Sequence, residues 1–189
     1  MLQTDLALAG TDGVAYPQGS SLKFYRFPRI SPPPGWTVDA KSGQHYAMLA
    51  FAPNGKNFNS SESVMYARAI HEPKQKSSLE KHIADDIADF KSRDPKAVGA
   101  IKEPILDQDS KKWAVVDFVY SDGTTTNFES VAYLDERDYR FHLALSTRSK
   151  SAFETLRPAF VAWVRSYRDI PDTEQSREAG ARPTEPQAK

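Results

Sequence analysis

The chain contains no cysteine. Disulfides, thiolate nucleophiles and zinc–thiolate centres are therefore excluded together. The compartment stays open, because a cysteine-free chain suits reducing and oxidising surroundings alike. Neither charge is in excess: 25 Lys and Arg stand against 25 Asp and Glu. A nucleic-acid binder carries a basic footprint, and this balance gives none. Apolar runs are short, far below the ~20 residues that cross a bilayer. Leu6-Ala7-Leu8-Ala9 is too brief for the apolar part of a secretion signal and has no basic residue before it. If the protein is exported, the expectation is that a signal has already been removed. Glycine is scarce, with nine residues and no G-x-G-x-x-G or Walker spacing, so the usual phosphate cradles are unsupported. Serines are numerous, yet neither a G-x-S-x-G elbow nor an S-x-x-K motif is there to activate one. These absences lead to the expectation of a protein that is not an enzyme and holds no cofactor or metal.

Aromatic residues are what the chain does have: ten Phe, eight Tyr and three Trp, enough to fill a core between a sheet and helices. A length of 189 residues suits one domain with some chain left over. Residues 1–21 mix glycine, proline and small residues without a period, and read as a flexible leader or linker. Residues 22–170 read as the single domain, and the polar, proline-containing residues 171–189 as a disordered tail.

Within the domain, Leu22–Pro28 alternates as a first strand, followed by Ser31-Pro32-Pro33-Pro34-Gly35-Trp36. Three prolines remove three backbone donors and hold an extended path, so this piece is a connection or an edge. Trp36 reads as its anchor in the core. Tyr46–Ala52 is a nearly continuous apolar run and Ser63–Ile70 a second strand. Between them, Asn54 and Asn57 sit in a polar surface loop of possible binding value.

Ser77 and Glu80 form a capping box, and Leu79, Ile83, Ile87 and Phe90 follow at helical spacing, which predicts a helix over 77–92. This reading leaves Lys81, His82, Asp85, Asp86 and Asp89 on the outward face. There they could bind a hard cation or move a proton, but a solvated acidic face explains them as well. Asp94-Pro95 ends the helix.

The period then changes to two. Ile101–Leu106 is a strand confined to an edge by Pro104. Lys112–Tyr120, Thr124–Leu134 and Tyr139–Thr147 follow as an antiparallel meander, with Asp122-Gly123 at the first hairpin. Asp107 and Asp109 lie in a charged turn whose exposure argues against acid–base work. On the polar face of the meander, Arg140 and His142 either look into a groove or pack under a helix. With Tyr120, Asn127 and Glu129 they make the side of the sheet that a partner could cover. Phe153–Tyr167 carries Phe153, Leu156, Phe160, Trp163, Val164 and Tyr167 on one stripe. Pro158 falls inside it, so the helix either begins near Arg157 or is kinked at the proline; the first is expected, after a short turn opened by Ser149 or Ser151.

Pro34-Gly35-Trp36 after the first strand, Phe160-x-x-Trp163-Val164-x-Ser166-Tyr167-Arg168 at the end, and the meander around Trp113, Phe118 and Tyr133 together resemble the PsbP-like fold family. The family includes a lumenal extrinsic protein of photosystem II, a Ran-binding nuclear import factor, periplasmic lipoproteins and chaperones of type VI secretion effectors. The resemblance covers about residues 22–170. It implies an α+β class, with an antiparallel sheet between helices as an α/β/α sandwich, and a role in binding partner proteins. No functional residue transfers, because no matching functional motif is present.

The expectation is therefore a bacterial, non-enzymatic protein-binding module, monomeric or homodimeric, with a protein partner and no nucleic acid. Its concrete forms would be an immunity protein against a secreted effector or an effector chaperone. The periplasm or another exported location is the expected compartment, with the cytoplasm as the alternative. Two rival functions remain: a lipid or small-ligand carrier with an apolar pocket near Trp36 and Trp113, and a hydrolase or lyase using His82 or His142.

Overall fold

A computed structural model describes residues 14–18, 21–25, 28, 30–71 and 77–168. Its centre is a seven-stranded antiparallel sheet. The strands are β3 (Trp36–Val38), β4 (Leu49–Pro53), β5 (Ser63–His71), β6 (Val98–Leu106), β7 (Lys112–Ser121), β8 (Thr126–Glu136) and β9 (Tyr139–Thr147), in the spatial order β3-β4-β5-β9-β8-β7-β6. Among the described residues three helices accompany it: α1 (Ala40–Tyr46), α2 (Leu79–Arg93) and α3 (Lys150–Arg165). Strands β1 (Val14–Gln18) and β2 (Ser21–Tyr25) form a separate two-stranded ribbon.

Alternation along β7, β8 and β9 divides the core into two layers. Trp113, Val115, Ala132, Leu134, Phe141, Leu143 and Leu145 face α3, whose Phe160, Trp163 and Val164 fill the space above them. Val116, Phe118, Val131, Tyr133 and Ala144 face α2, where Ile83 is buried and Leu79, Ile87 and Phe90 pack beside it. Each fully buried large side chain contributes about 1.5–3 kcal/mol, so both helices are held chiefly by these stripes.

The meander matches the alternation closely. Its first hairpin is fixed by Asp122, whose carboxylate accepts from the backbone N–H groups of Thr124 and Thr125. Gly123 takes a φ of +92°, which a side chain would resist. Those backbone bonds, with the Thr124 hydroxyl, hold the Asp122 carboxyl far below the usual carboxylate range. Strand β6 is an edge, as Pro104 requires, and its register slips between Lys102 and Ile105. It also begins earlier than the sequence suggested, at Val98, through a glycine that must be small. A Cβ on Gly99 would lie 2.8 Å from Ile87 Cγ1 of α2.

Four expectations are corrected. Helix α3 is continuous from Lys150, with Ser149 as its cap, rather than starting near Arg157. Pro158 sits on its exposed side, where water can satisfy the Glu154 carbonyl that lost its partner. The run read as a strand from Tyr46 is helix first: α1 ends at Tyr46, Ala47 turns the chain in a left-handed conformation, and β4 begins only at Leu49. Helix α2 is capped by Ser78, which accepts from Lys81 N–H, rather than by Ser77. The first strand is Ser21–Tyr25, and it pairs outside the main sheet with Val14–Gln18, a stretch read as leader. The remainder of that leader and the tail over 171–189 lie outside the described residues.

Candidate functional site

Helix α2 turns a mixed stripe toward the sheet. Leu79, His82, Ile83, Asp86, Ile87 and Phe90 are its buried or half-buried residues, whereas Lys81, Asp85 and Asp89 are exposed. Spacings of three and four therefore place His82 and Asp86 among the core-facing positions, not on the outward face. The exposed charges pair along the helix, Lys81 with Asp85 at 2.7 Å and Arg93 with Asp89 at 2.8 Å.

Opposite His82 lies His142 of β9, only 2% exposed. Their Nε2 atoms are 3.1 Å apart. Arg68 Nε approaches His142 Nδ1 at 3.4 Å, and a guanidinium only donates. Nδ1 of His142 must then accept, so its Nε2 carries the proton and donates to His82 Nε2. His82 holds its own proton on Nδ1. Asp86 Oδ2 is 3.7 Å from His82 Nε2 and accepts from the Tyr133 hydroxyl at 3.1 Å. Tyr133 stacks edge-on against His142 with ring centroids 4.8 Å apart. Burial, with the nearby Arg68 charge second, holds His142 well below the usual imidazole range. Burial likewise raises the Tyr133 hydroxyl, helped by the Asp86 carboxylate.

A second buried group lies on the same face. Glu129 of β8 is 5% exposed and accepts from the Tyr66 hydroxyl at 3.0 Å and from the Tyr120 hydroxyl at 3.4 Å. Desolvation raises its carboxyl above the usual range, although the hydroxyls of Tyr66, Ser146 and Tyr120 oppose this. A group raised in the fold favours the protonated folded state. Its contribution is therefore present below the unfolded value of ~4.3 and is lost as pH rises through the folded value. Glu129→Gln keeps an acceptor for a tyrosine hydroxyl and removes the charge. The expected result is a flatter stability profile above pH ~4.3, with neutral-pH stability no lower than the parent's. Urea midpoints measured from pH 4 to 8 check this, and an unchanged profile would refute it.

The residues expected to face a partner are thus mostly interior. Arg140 is 1% exposed and binds Asp135, while Asn127 is buried and donates to the Thr125 carbonyl at 3.3 Å. Tyr120 is half-buried beside Phe90. The face read as open to a partner is corrected accordingly: α2 and the sheet's own polar contacts occupy it. Asn54 and Asn57 are exposed, and Asn57 organises its loop by accepting from Ser60 N–H. Asp107 is buried, contrary to the exposed turn expected. It accepts from Asp109 and Lys111 N–H and from the Trp113 indole at 3.0 Å, which makes it the framework of the turn. Trp36 and Trp113 are both core residues, so neither ring is free to stack on a ligand. Exposed large apolar side chains gather elsewhere. Val98, Ile101 and Leu106 of β6 and Val119 of β7 account for four of the six among the described residues.

No family model matches the chain, and no curated protein matches it in sequence. Solved structures do. The protein PA94 of Pseudomonas aeruginosa, whose function is unknown, is 8% identical with a TM-score of 0.49, over 85% of this chain and 99% of that one. Cyanobacterial PsbP from Synechocystis is 12% identical with a TM-score of 0.45, over 71% of this chain and 91% of that one. The Ran-binding protein Mog1p of Saccharomyces cerevisiae is 14% identical with a TM-score of 0.45, over 72% and 82%. A PsbP and a Ran-binding protein, two kinds of protein that the sequence resemblance named, are thus among the matches. Among the described residues no helix is long and apolar enough to cross a membrane.

Proposed function

We propose that this is a non-enzymatic module that binds a partner protein by accepting an extended segment along β6. The observation that supports it is the exposed apolar edge. Ile101 is 74% exposed, Leu106 56% and Val98 55%, on a strand that among the described residues pairs on one side only, with β7. An edge strand offers unpaired backbone donors and acceptors, and apolar side chains beside them add affinity for an incoming strand. At the other edge, β3 has three residues and offers much less. Within this class, an immunity protein or effector chaperone of an exported bacterial system is the role we place first, since the sequence offers no motif that would activate a serine or cradle a phosphate.

The test uses proteins encoded beside this one, each titrated against the full chain and against Ile101→Lys. Binding by the parent, weakened on the order of tenfold or more in the variant, with amide-exchange protection along β6, is the expected result. A partner that binds Ile101→Lys equally well and protects another surface would overturn the placement. Turnover in a broad substrate screen, abolished by His82→Ala or His142→Ala at unchanged stability, would overturn the non-enzymatic reading.

A further inference from the structure

The His82–His142 contact joins two elements that are 60 residues apart in the chain. Asp86 completes a group in which one ligating atom from each residue lies within 4.8 Å of the others. Tetrahedral ligands at about 2.0–2.1 Å from a zinc ion stand roughly 3.3 Å from one another. The observed 3.1 Å between the two Nε2 atoms and 3.7 Å from His82 Nε2 to Asp86 Oδ2 lie on either side of that value. The two Nε2 atoms already lie near ligand spacing, and Asp86, one turn along the same helix from His82, is the side chain that has to close in.

We propose that His82, Asp86 and His142 form a binding site for one divalent transition-metal ion of the zinc type. Two imidazole nitrogens and one carboxylate favour borderline ions such as Zn²⁺, Co²⁺, Ni²⁺ or Cu²⁺ over Mg²⁺ and Ca²⁺, which select oxygen. The helix supplies His82 and Asp86 at i and i+4, and β9 supplies His142, so the ion fastens α2 to the sheet. The Tyr133 hydroxyl donates to Asp86 Oδ2, the oxygen nearest His82, and so orients the carboxylate as outer partners of ligating carboxylates do. Side-chain exposures of 19% for His82 and 30% for Asp86 leave the rim open to solvent, which gives the ion an entry path and a fourth ligand.

Arg68 stands against this ion, and its effect makes the proposal specific. With a metal on Nε2, the His142 proton must reside on Nδ1, where Arg68 now donates. A ligating histidine normally turns its other N–H to an acceptor, so the guanidinium has to leave, and its charge also repels the cation. Arg68 is exposed and can swing into solvent. Removing it should therefore tighten binding, whereas a plain hydrogen-bonded histidine pair gives no such response.

The experiment is calorimetric titration of the full chain with Zn²⁺, supported by Co²⁺ absorption spectra and by melting with Zn²⁺ and then EDTA. One equivalent of Zn²⁺ is expected to bind, raising the melting temperature reversibly, and Co²⁺ should give a tetrahedral spectrum. His82→Gln and Asp86→Asn lie at the rim and should keep the fold but lose stoichiometric binding. Tyr133→Phe should weaken binding on the order of 10–100-fold, and Arg68→Met should strengthen it. Absence of a saturable site in the parent overturns the proposal. So does binding that persists unchanged in His82→Gln, which would place the ion at other groups.

Discussion

Trp163→Ala is expected to destabilise the protein by about 3–5 kcal/mol, enough to unfold much of a marginally stable domain. The indole is 2% exposed and stands between α3 and the sheet, with the Phe51 ring edge-on at 5.3 Å and Phe160 at 6.3 Å. Removing it leaves a cavity that these rigid rings cannot close, so the loss exceeds simple transfer of the side chain. A second connection breaks as well. The indole N–H donates to the Ser31 carbonyl at 2.8 Å, which ties the proline-rich segment to α3. Trp163→Phe separates the two effects, because it keeps most of the ring contact and discards the bond. Its expected cost from the bond alone is about 1 kcal/mol, since the exposed Ser31 can recruit water. Urea unfolding followed by far-ultraviolet circular dichroism measures both. A loss under about 1.5 kcal/mol for the alanine variant would show that the hub lies elsewhere.

Trp163 was legible in the sequence because α3 has an uninterrupted apolar stripe, and a stripe that broad must meet a sheet. The meander was legible for the same reason: period two continues from Lys112 to Thr147 with turn residues only at the hairpins. Helix α1 was hidden because Tyr46, Met48 and Leu49 read as one apolar run, although three different backbone conformations pass through it. What marks the helix is Asp39, whose carboxylate accepts from Ser42 N–H and Phe58 N–H and so joins cap and loop.

The histidine group was harder to see for a physical reason. Binary patterning assigns polar residues outward, and His82 and Asp86 break that rule on an otherwise apolar inner stripe. Their spacing from Leu79 and Phe90 was the signal that could have placed them, since three- and four-residue steps connect all four. The partner was invisible: nothing local links His82 to His142, which only the pairing of β5, β9 and β8 brings beneath α2. The polar face expected to receive a partner failed similarly. Glu129, Arg140 and His142 alternate correctly, but alternation gives the face and not what covers it.

Arg140 carries the second large expected effect. Its side chain is 1% exposed and meets Asp135, its direct cross-strand neighbour, through Nε at 2.6 Å and through a second nitrogen at 2.8 Å. The same second nitrogen donates to the Ser77 carbonyl at 3.0 Å, just ahead of α2. One guanidinium thus joins the β8–β9 hairpin to the start of the helix that carries His82. Arg140→Ala leaves the Asp135 carboxylate and the Ser77 carbonyl without this donor and opens a cavity; the expected loss is about 3–5 kcal/mol. Replacing both partners removes the charge imbalance, so the Asp135→Leu, Arg140→Met double variant should lose less than the two single losses combined. A double-mutant cycle in urea reads the coupling directly. Arg140→Ala should also loosen α2 ahead of the sheet, visible as faster amide exchange over Leu79–Arg93. Single variants whose losses simply add would mean that Arg140 acts through packing of its stem, and that the charge pair contributes nothing.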